Sequence, residues 1–164
     1  MIKKNIEEVN KKLTEYQASI QTSVNAQNLW KKTSFKFSNT LKHADIKVIS
    51  DQVVKSQNSA GYKFAIMEPD IEKGGNIKNI TFKIKQCTSN WVAVGMCHKN
   101  IVVGKNYGFN FSAIGHGGYM ISANGGSWSN TKYDANNCVK FMTNDVIQIS
   151  VDYDTKKMTF KKKN

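Results

Sequence analysis

Arginine is absent from this chain. All 24 basic residues are lysine, set against 12 acidic residues, for a net charge of +12. A charge of that size invites a nucleic-acid partner. Arginine, however, supplies the planar fork that grips phosphate and guanine and stacks on bases. The lysines are also scattered along the chain, apart from the run at 161–163. The expectation is a solvated lysine surface with at most sequence-blind nucleic-acid binding. The joint wealth of lysine and asparagine reads as coding bias of an AT-rich genome. Proline occurs once, at Pro69, and cysteine three times, at Cys87, Cys97 and Cys138. An odd number at wide spacing, with no C-x-x-C pair, argues against a disulfide framework and against a zinc site. No metal or other cofactor is expected. No apolar run approaches about 18 residues, the length that marks a membrane-crossing helix. The opening MIKKNIEEVNKK lacks the apolar stretch of a signal peptide. The expected setting is cytoplasmic and reducing, without a membrane partner, and the glycosylation-like triplets at 79–81 and 110–112 read as chance matches.

What is present divides into two parts, 1–28 and 33–164. In the first, apolar residues fall at Ile2, Ile6, Val9, Leu13, Tyr16 and Ile20, the alternating 4-3 spacing of a heptad seam. Ile6, Leu13 and Ile20 take the a positions, and Ile2, Val9 and Tyr16 the d positions. An isolated helix of this length is marginal in water. Two readings stand side by side. The stripe packs on the domain that follows, with Trp30 at the junction, or Ile6, Val9, Leu13, Tyr16 and Ile20 form an oligomerisation seam.

From residue 33 the period changes to two. Segments 34–38, 45–50, 62–66, 80–86 and 145–154 alternate, residues 91–97 are more continuously apolar, and 156–163 follow a short turn as the second arm of a hairpin. Many short strands with Gly, Asn and Ser turns, and no helical pattern between them, predict an all-β fold, an antiparallel sandwich or barrel.

The stretch GHGGYMISANGGSWS, 115–129, tests the enzymatic alternatives. A phosphate loop needs a preceding strand, fixed glycine spacing and a following helix. Here the glycines flank YMIS, which has strand composition, and Asn124-Gly125-Gly126 reads as a hairpin turn. His116 has no acid or thiol beside it in sequence, and it reads as structural or surface. His98 beside Cys97 is not a metal motif, and His43 lies in a polar loop. Asp145, Asp152 and Asp154 fit turn chemistry better than a paired-carboxylate site. No catalytic residue is assigned, and the chain is read as a non-enzyme.

The order W-V-A-V-G-M at 91–96, G-H-G-G-Y-M-I-S at 115–122, F-x-x-x-D-V-I-x-I-x-V-D at 141–152 and M-T-F at 158–160 resembles a SPRY domain. Asn144 stands where that family often has glycine. The resemblance spans roughly 33–162 and implies a bent sandwich of two antiparallel sheets that binds peptides or protein surfaces through its rim loops. It also implies a sandwich short of its last strand or strands, with an open edge. In tripartite-motif-like proteins a coiled coil precedes such a domain, and the heptad stretch is similar to the end of one. The loops 105–118 and 127–137 hold the candidate partner-binding residues Tyr107, Phe109, Asn110, His116, Trp128, Asn130 and Tyr133, with the expectation that at least half of the aromatics are core. The functional expectation is a protein-interaction module for an unidentified protein or peptide ligand, working within a larger assembly. Two alternatives stay open: an assembly protein, filament or complex subunit, built through the helix and the sheet edge, and a lysine-rich nucleic-acid binder.

Overall fold

The computed structural model describes residues 2–32, 34–58, 61–71, 78–88, 91–110, 115–130 and 132–163; within the first helix, side chains are described for residues 6–24. Helix α1 spans Ile2–Lys32, four residues beyond the predicted end. Glu8 and Lys12, one turn apart, pair at 3.0 Å. The Thr14 and Thr22 hydroxyls donate back to the carbonyls of Asn10 and Ala18, which satisfies them within the helix. Every described side chain from 6 to 24 is exposed. The side chains of Ile2 and Trp30, which sequence placed on the seam and at the junction, lie outside the described residues.

The remainder is built mostly of short antiparallel strands. These are β1 (Lys36–Lys42), β2 (Ile46–Ser50), β3 (Val53–Ser56), β4 (Tyr62–Lys63), β5 (Ala65–Glu68), β6 (Lys78–Lys83), β7 (Ala93–Cys97), β8 (Gly108–Phe109), β9 (Gly118–Ser122), β10 (Ser127–Ser129), β11 (Tyr133–Asp134), β12 (Val146–Asp152) and β13 (Lys157–Lys163). Among the described residues they form a four-stranded sheet ordered β11-β10-β9-β7, a three-stranded sheet ordered β13-β12-β6, and the pairs β1-β5, β2-β3 and β4-β8.

Alternation built these strands, and its exceptions are instructive. Segment 62–66 was expected as one strand but breaks at Phe64. Its N–H donates to the Tyr107 carbonyl at 2.8 Å and its carbonyl accepts from His43 N–H at 3.0 Å, so β4 and β5 pair with different partners. Between β7 and β8 lies a helix that periodicity missed, α2 (Lys99–Gly104). Six residues are too few to display a 3.6 period. The Asn124–Gly126 turn joins β9 to β10 as expected, with Gly125 at φ +92°. Asn144, before β12, sits at φ +75°, a conformation that glycine adopts freely and asparagine tolerates best among the rest.

Ile84, Val94, Ile121, Ala123, Phe141, Ile147, Ile149 and Val151 form one buried cluster fed by both larger sheets. Phe109, Met120 and Trp128 form a second, with Phe64, Trp91 and Ala93 against it. Ala93 and Met120 alternate with Val94 and Ile121 along β7 and β9, so the four-stranded sheet is covered on both sides. That accounts for the continuous apolar run at 91–97. The sheet permits no side chain at Gly95: a Cβ there would lie 2.1 Å from the Tyr119 carbonyl oxygen and 2.7 Å from the Met120 Cα. Gly95→Ala is therefore expected to cost at least about 2 kcal/mol, at the upper range for overpacking. Gly104→Ala, where a Cβ meets nothing within 4 Å, should change stability by less than about 0.5 kcal/mol. Urea denaturation of both variants checks the contrast.

Candidate functional site

The loops around α2, β8, β9 and β10 converge at one end of the four-stranded sheet. Helix α2 follows His98, whose N–H donates to the Gly117 carbonyl at 2.8 Å, and it buries Val102 completely. Gly117, at φ +80°, lets the strip 115–118 lie against Ile101; a Cβ would come within 2.9 Å of that side chain. Asn130 knits the strip to the β10 loop. Its N–H donates to Gly118 O at 2.8 Å, its carbonyl accepts from Gly115 N–H at 2.7 Å, and its Oδ1 accepts from Gly117 N–H at 2.9 Å. Gly117 and Gly118 thus stand where a Cβ would crowd the Ile101 and Met120 side chains, and Gly115, with open space around it, supplies a positive φ of +71°.

An aromatic layer lies beneath. Phe109 meets Phe64, Trp128 and Trp91 at ring-centroid distances of 5.5, 5.7 and 6.3 Å. Trp128 stacks on Tyr133 at 5.0 Å, and Tyr62 lies 4.0 Å from Trp91. This corrects three of the sequence candidates. Phe109, His116 and Trp128 are buried: alternation in β8 and β10 turns Phe109 and Trp128 onto the second core cluster, and His116, in the strip before β9, packs edge-on against the Phe109 ring. Tyr107 is half-buried at φ +58°, with its carbonyl engaged by Phe64. Asn110 and Tyr133 are exposed, the latter to 45%, and Asn130 is half-buried. Residues 111–114 and 131 of the expected loops lie outside the described residues.

Beside Asn130 opens a surface cavity of about 450 Å³, lined also by Asp70, His98, Lys99, Asn100 and Ile101. Lys99 Nζ and Asp70 pair at 2.6 Å, so the charges at its rim are mutually satisfied. Tyr119 Oη lies 3.4 Å from His98 Nε2. The cavity offers polar contacts of both signs. Sequence reasoning missed it because its residues come from three separated segments, one of them the start of the short helix. Burial and the nearby Asp70 carboxylate push the Cys97 thiol up to about 11, far from a reactive thiolate. Two of the carboxylates considered for acid–base work are engaged in turns. Asp152 accepts from the Asp154 and Thr155 N–H groups and the Thr155 hydroxyl, and Asp145 accepts from Met142 N–H and pairs with Lys162 at 2.7 Å. Among the described residues no three His, Cys, Asp or Glu side chains gather as a metal site, and no helix is long and apolar enough to cross a membrane.

Two further surfaces stand out. The α1 seam is solvent-facing, with Ile6, Val9, Leu13, Tyr16 and Ile20 each more than half exposed and Tyr16 at 73%. Five of the 24 lysines, Lys83, Lys85, Lys157, Lys161 and Lys163, fall on the outer side of the three-stranded sheet. The signal was present as lysines two apart, at Lys83 and Lys85 and at Lys161 and Lys163, on strands of period two. No family model matches the chain, and neither curated proteins nor solved structures give a significant match.

His116 is 2% exposed, and its Nδ1 accepts the Gly118 N–H at 3.0 Å. Burial, with the Lys105 ammonium adding to it, holds its pKa below the ordinary 6.5. The unfolded chain therefore binds this proton more readily than the folded one. Stability should be level above about pH 6.5 and fall as pH drops below it, until the lower folded-state value is passed. Urea denaturation at pH 7.5 and 5.5 should show the loss, and His116→Asn, which retains an acceptor near Nδ1 but does not titrate, should show a smaller one.

Proposed function

We propose that this protein is a non-enzymatic interaction module: α1 joins it to further copies through its apolar seam, and the β domain presents rim loops to a protein or peptide. The observation that carries the reading is the exposed heptad stripe on α1. Aliphatic side chains at every a position, each more than half exposed, are costly in water and are relieved by helix–helix packing. Between Ile6 and Ile20 the e and g positions that would flank such a seam are Asn10, Lys12, Gln17 and Ser19, a single charge among them, so like-charge repulsion there is small for pairing of identical helices.

For the β domain, the reading is a SPRY-like bent sandwich. Support comes from the shared cluster between the β13-β12-β6 and β11-β10-β9-β7 sheets. The four motifs overlap β7, β9, β12 and β13 in the order of the resemblance, and Asn144 has a positive φ, a conformation glycine adopts freely. Asn110, Asn130 and Tyr133, with the cavity beside Asn130, form the contact rim, backed by the rigid aromatic layer.

Light scattering on the intact chain should give an oligomer, and Ile6→Ser/Leu13→Ser/Ile20→Ser should weaken association by at least about 100-fold, since each buried aliphatic is worth about 1.5–3 kcal/mol. A wild-type chain that stays monomeric at high micromolar concentration rejects the seam as a self-contact. For the rim, peptide display against the intact chain should yield a convergent motif, bound at least about tenfold more weakly by Asn110→Ala/Tyr133→Ala, a hot-spot-sized loss. Equal binding by that variant rejects the rim assignment.

A further inference from the structure

The register of the three-stranded sheet lines up its outer face row by row. Lys163 stands opposite Val146, which stands opposite Lys83; Lys161, Gln148 and Thr81 form the next row, and Thr159, Ser150 and Asn79 the next. Lys157 faces Asp152 at the far end. Lys85 continues the outward side of β6, since Phe82 and Ile84 on either side of Lys83 turn inward to the core. Lys83, Lys85, Lys157, Lys161 and Lys163 are all exposed. Among the described residues, none of the five is in an ion pair within 4.0 Å. Asp152, the carboxylate of this face, accepts from Thr155 and from backbone N–H groups and feels the Lys157 ammonium across the pair, which leaves Lys83, Lys85, Lys161 and Lys163 as the uncompensated charges. Apart from half-buried Val146, the rest of the surface is hydroxyl and amide: Asn79 Oδ1 accepts from Gln148 Nε2 at 2.7 Å and from Ser150 Oγ at 2.6 Å, while Thr81 and Thr159 are exposed.

We propose that this face binds the phosphate backbone of single-stranded nucleic acid, through charge and hydroxyl or amide hydrogen bonds and without reading bases. Outward residues repeat at roughly 6.6 Å along a strand, and the two lysine-bearing strands lie roughly 10 Å apart across β12. The along-strand repeat is comparable to the step between phosphates of an extended single strand. Lysine, threonine, serine, asparagine and glutamine are residues that contact phosphate oxygens. The face carries no aromatic on which a base could stack and no arginine to fork onto guanine, so contact is sequence-blind. A membrane surface fits less well, because interfacial binding needs apolar side chains to insert, and Val146, half-buried, is the apolar residue here. A protein partner fits less well because lysine is depleted from protein–protein interfaces, and this face lacks the aromatic and arginine anchors that hold them.

The test is fluorescence anisotropy of the full chain with a labelled thymidine homopolymer across a salt series. Each neutralised phosphate contributes about −0.7 to the slope of log affinity against log salt, or roughly fivefold in affinity at 0.1 M salt. Lys83→Gln/Lys161→Gln/Lys163→Gln should make the slope shallower by about 2 and weaken binding roughly 100-fold at 0.1 M. Lys47→Gln/Lys55→Gln, exposed lysines facing each other across β2 and β3, should leave both unchanged, and a mixed-sequence strand should bind within about threefold of the homopolymer, as phosphate contacts carry no sequence information. A wild-type slope shallower than about −1 overturns the proposal on its own, since it allows scarcely more than one contact. So does equal loss in the two variants, or tighter binding to phosphatidylserine vesicles or polyglutamate than to the strand.

Discussion

Ile147 and Ile149 have no solvent exposure: β13 and β6 flank β12 along nearly its whole length, and the cluster shared with β7 and β9 covers its inner face. A strand paired on both edges has its backbone polar groups satisfied, so its side chains alone decide what each face does. In β12 they decide cleanly. Ile147, Ile149 and Val151 point one way, into the cluster shared with β7 and β9, and fully burying each isoleucine is worth about 1.5–3 kcal/mol. Gln148, Ser150 and Asp152 point the other way and form polar contacts within the sheet surface or its end turn. A slip of one residue would exchange the two sets, so the register that buries the core also assembles the lysine rows. Core and charged face are two consequences of one pairing.

The four-stranded sheet solves a different problem, since both of its faces are covered. Its inner side meets the isoleucine cluster, and its other side carries the aromatic layer around Phe109 and Trp128, reached by the β4–β8 pair. Rings that meet edge to face at 5–6 Å give a stiff support. The loops above it are held by hydrogen bonds to the backbone, as in the three made by Asn130 to the strip 115–118, two from its main chain and one from its side-chain Oδ1. A rim that carries little apolar side chain of its own can vary in sequence while its backbone frame stays fixed.

Much of this was legible in the sequence. Period-two runs located most longer strands within a few residues, the β12–β13 hairpin followed from its turn, and the Asn-Gly-Gly turn followed from the need for positive φ. What escaped has physical causes. Two-residue strands such as β8 and β11 and a six-residue helix are shorter than the periods that would reveal them. The burial of His116 depends on an acceptor role toward Gly118 N–H and on the ring of Phe109, neither of which leaves a local signature. Polar loop composition around Trp128 suggested a surface anchor, while cross-strand pairing with Met120 put it in the core. The lysine face was readable in each strand separately, but only the pairing of residues some eighty positions apart, Lys83 and Lys163 through Val146, joins the rows.

The helix seam and the lysine face act on each other if both proposals hold. A face with a handful of lysines binds phosphate weakly at physiological salt, because each contact is screened and lysine makes point-charge contacts without arginine's bidentate geometry. Joining copies through α1 would place several such faces on one particle. Each further contact then becomes intramolecular, with an effective concentration set by the link, and avidity exceeds that of a single face without any new residue. Arginine-free chemistry is well suited to that arrangement: single contacts stay reversible and salt-sensitive, and strength comes from number. The physical demand falls on the segment between α1 and β1. It must let neighbouring faces reach the same strand, and a link that held them pointing apart would remove the gain while leaving every individual contact intact.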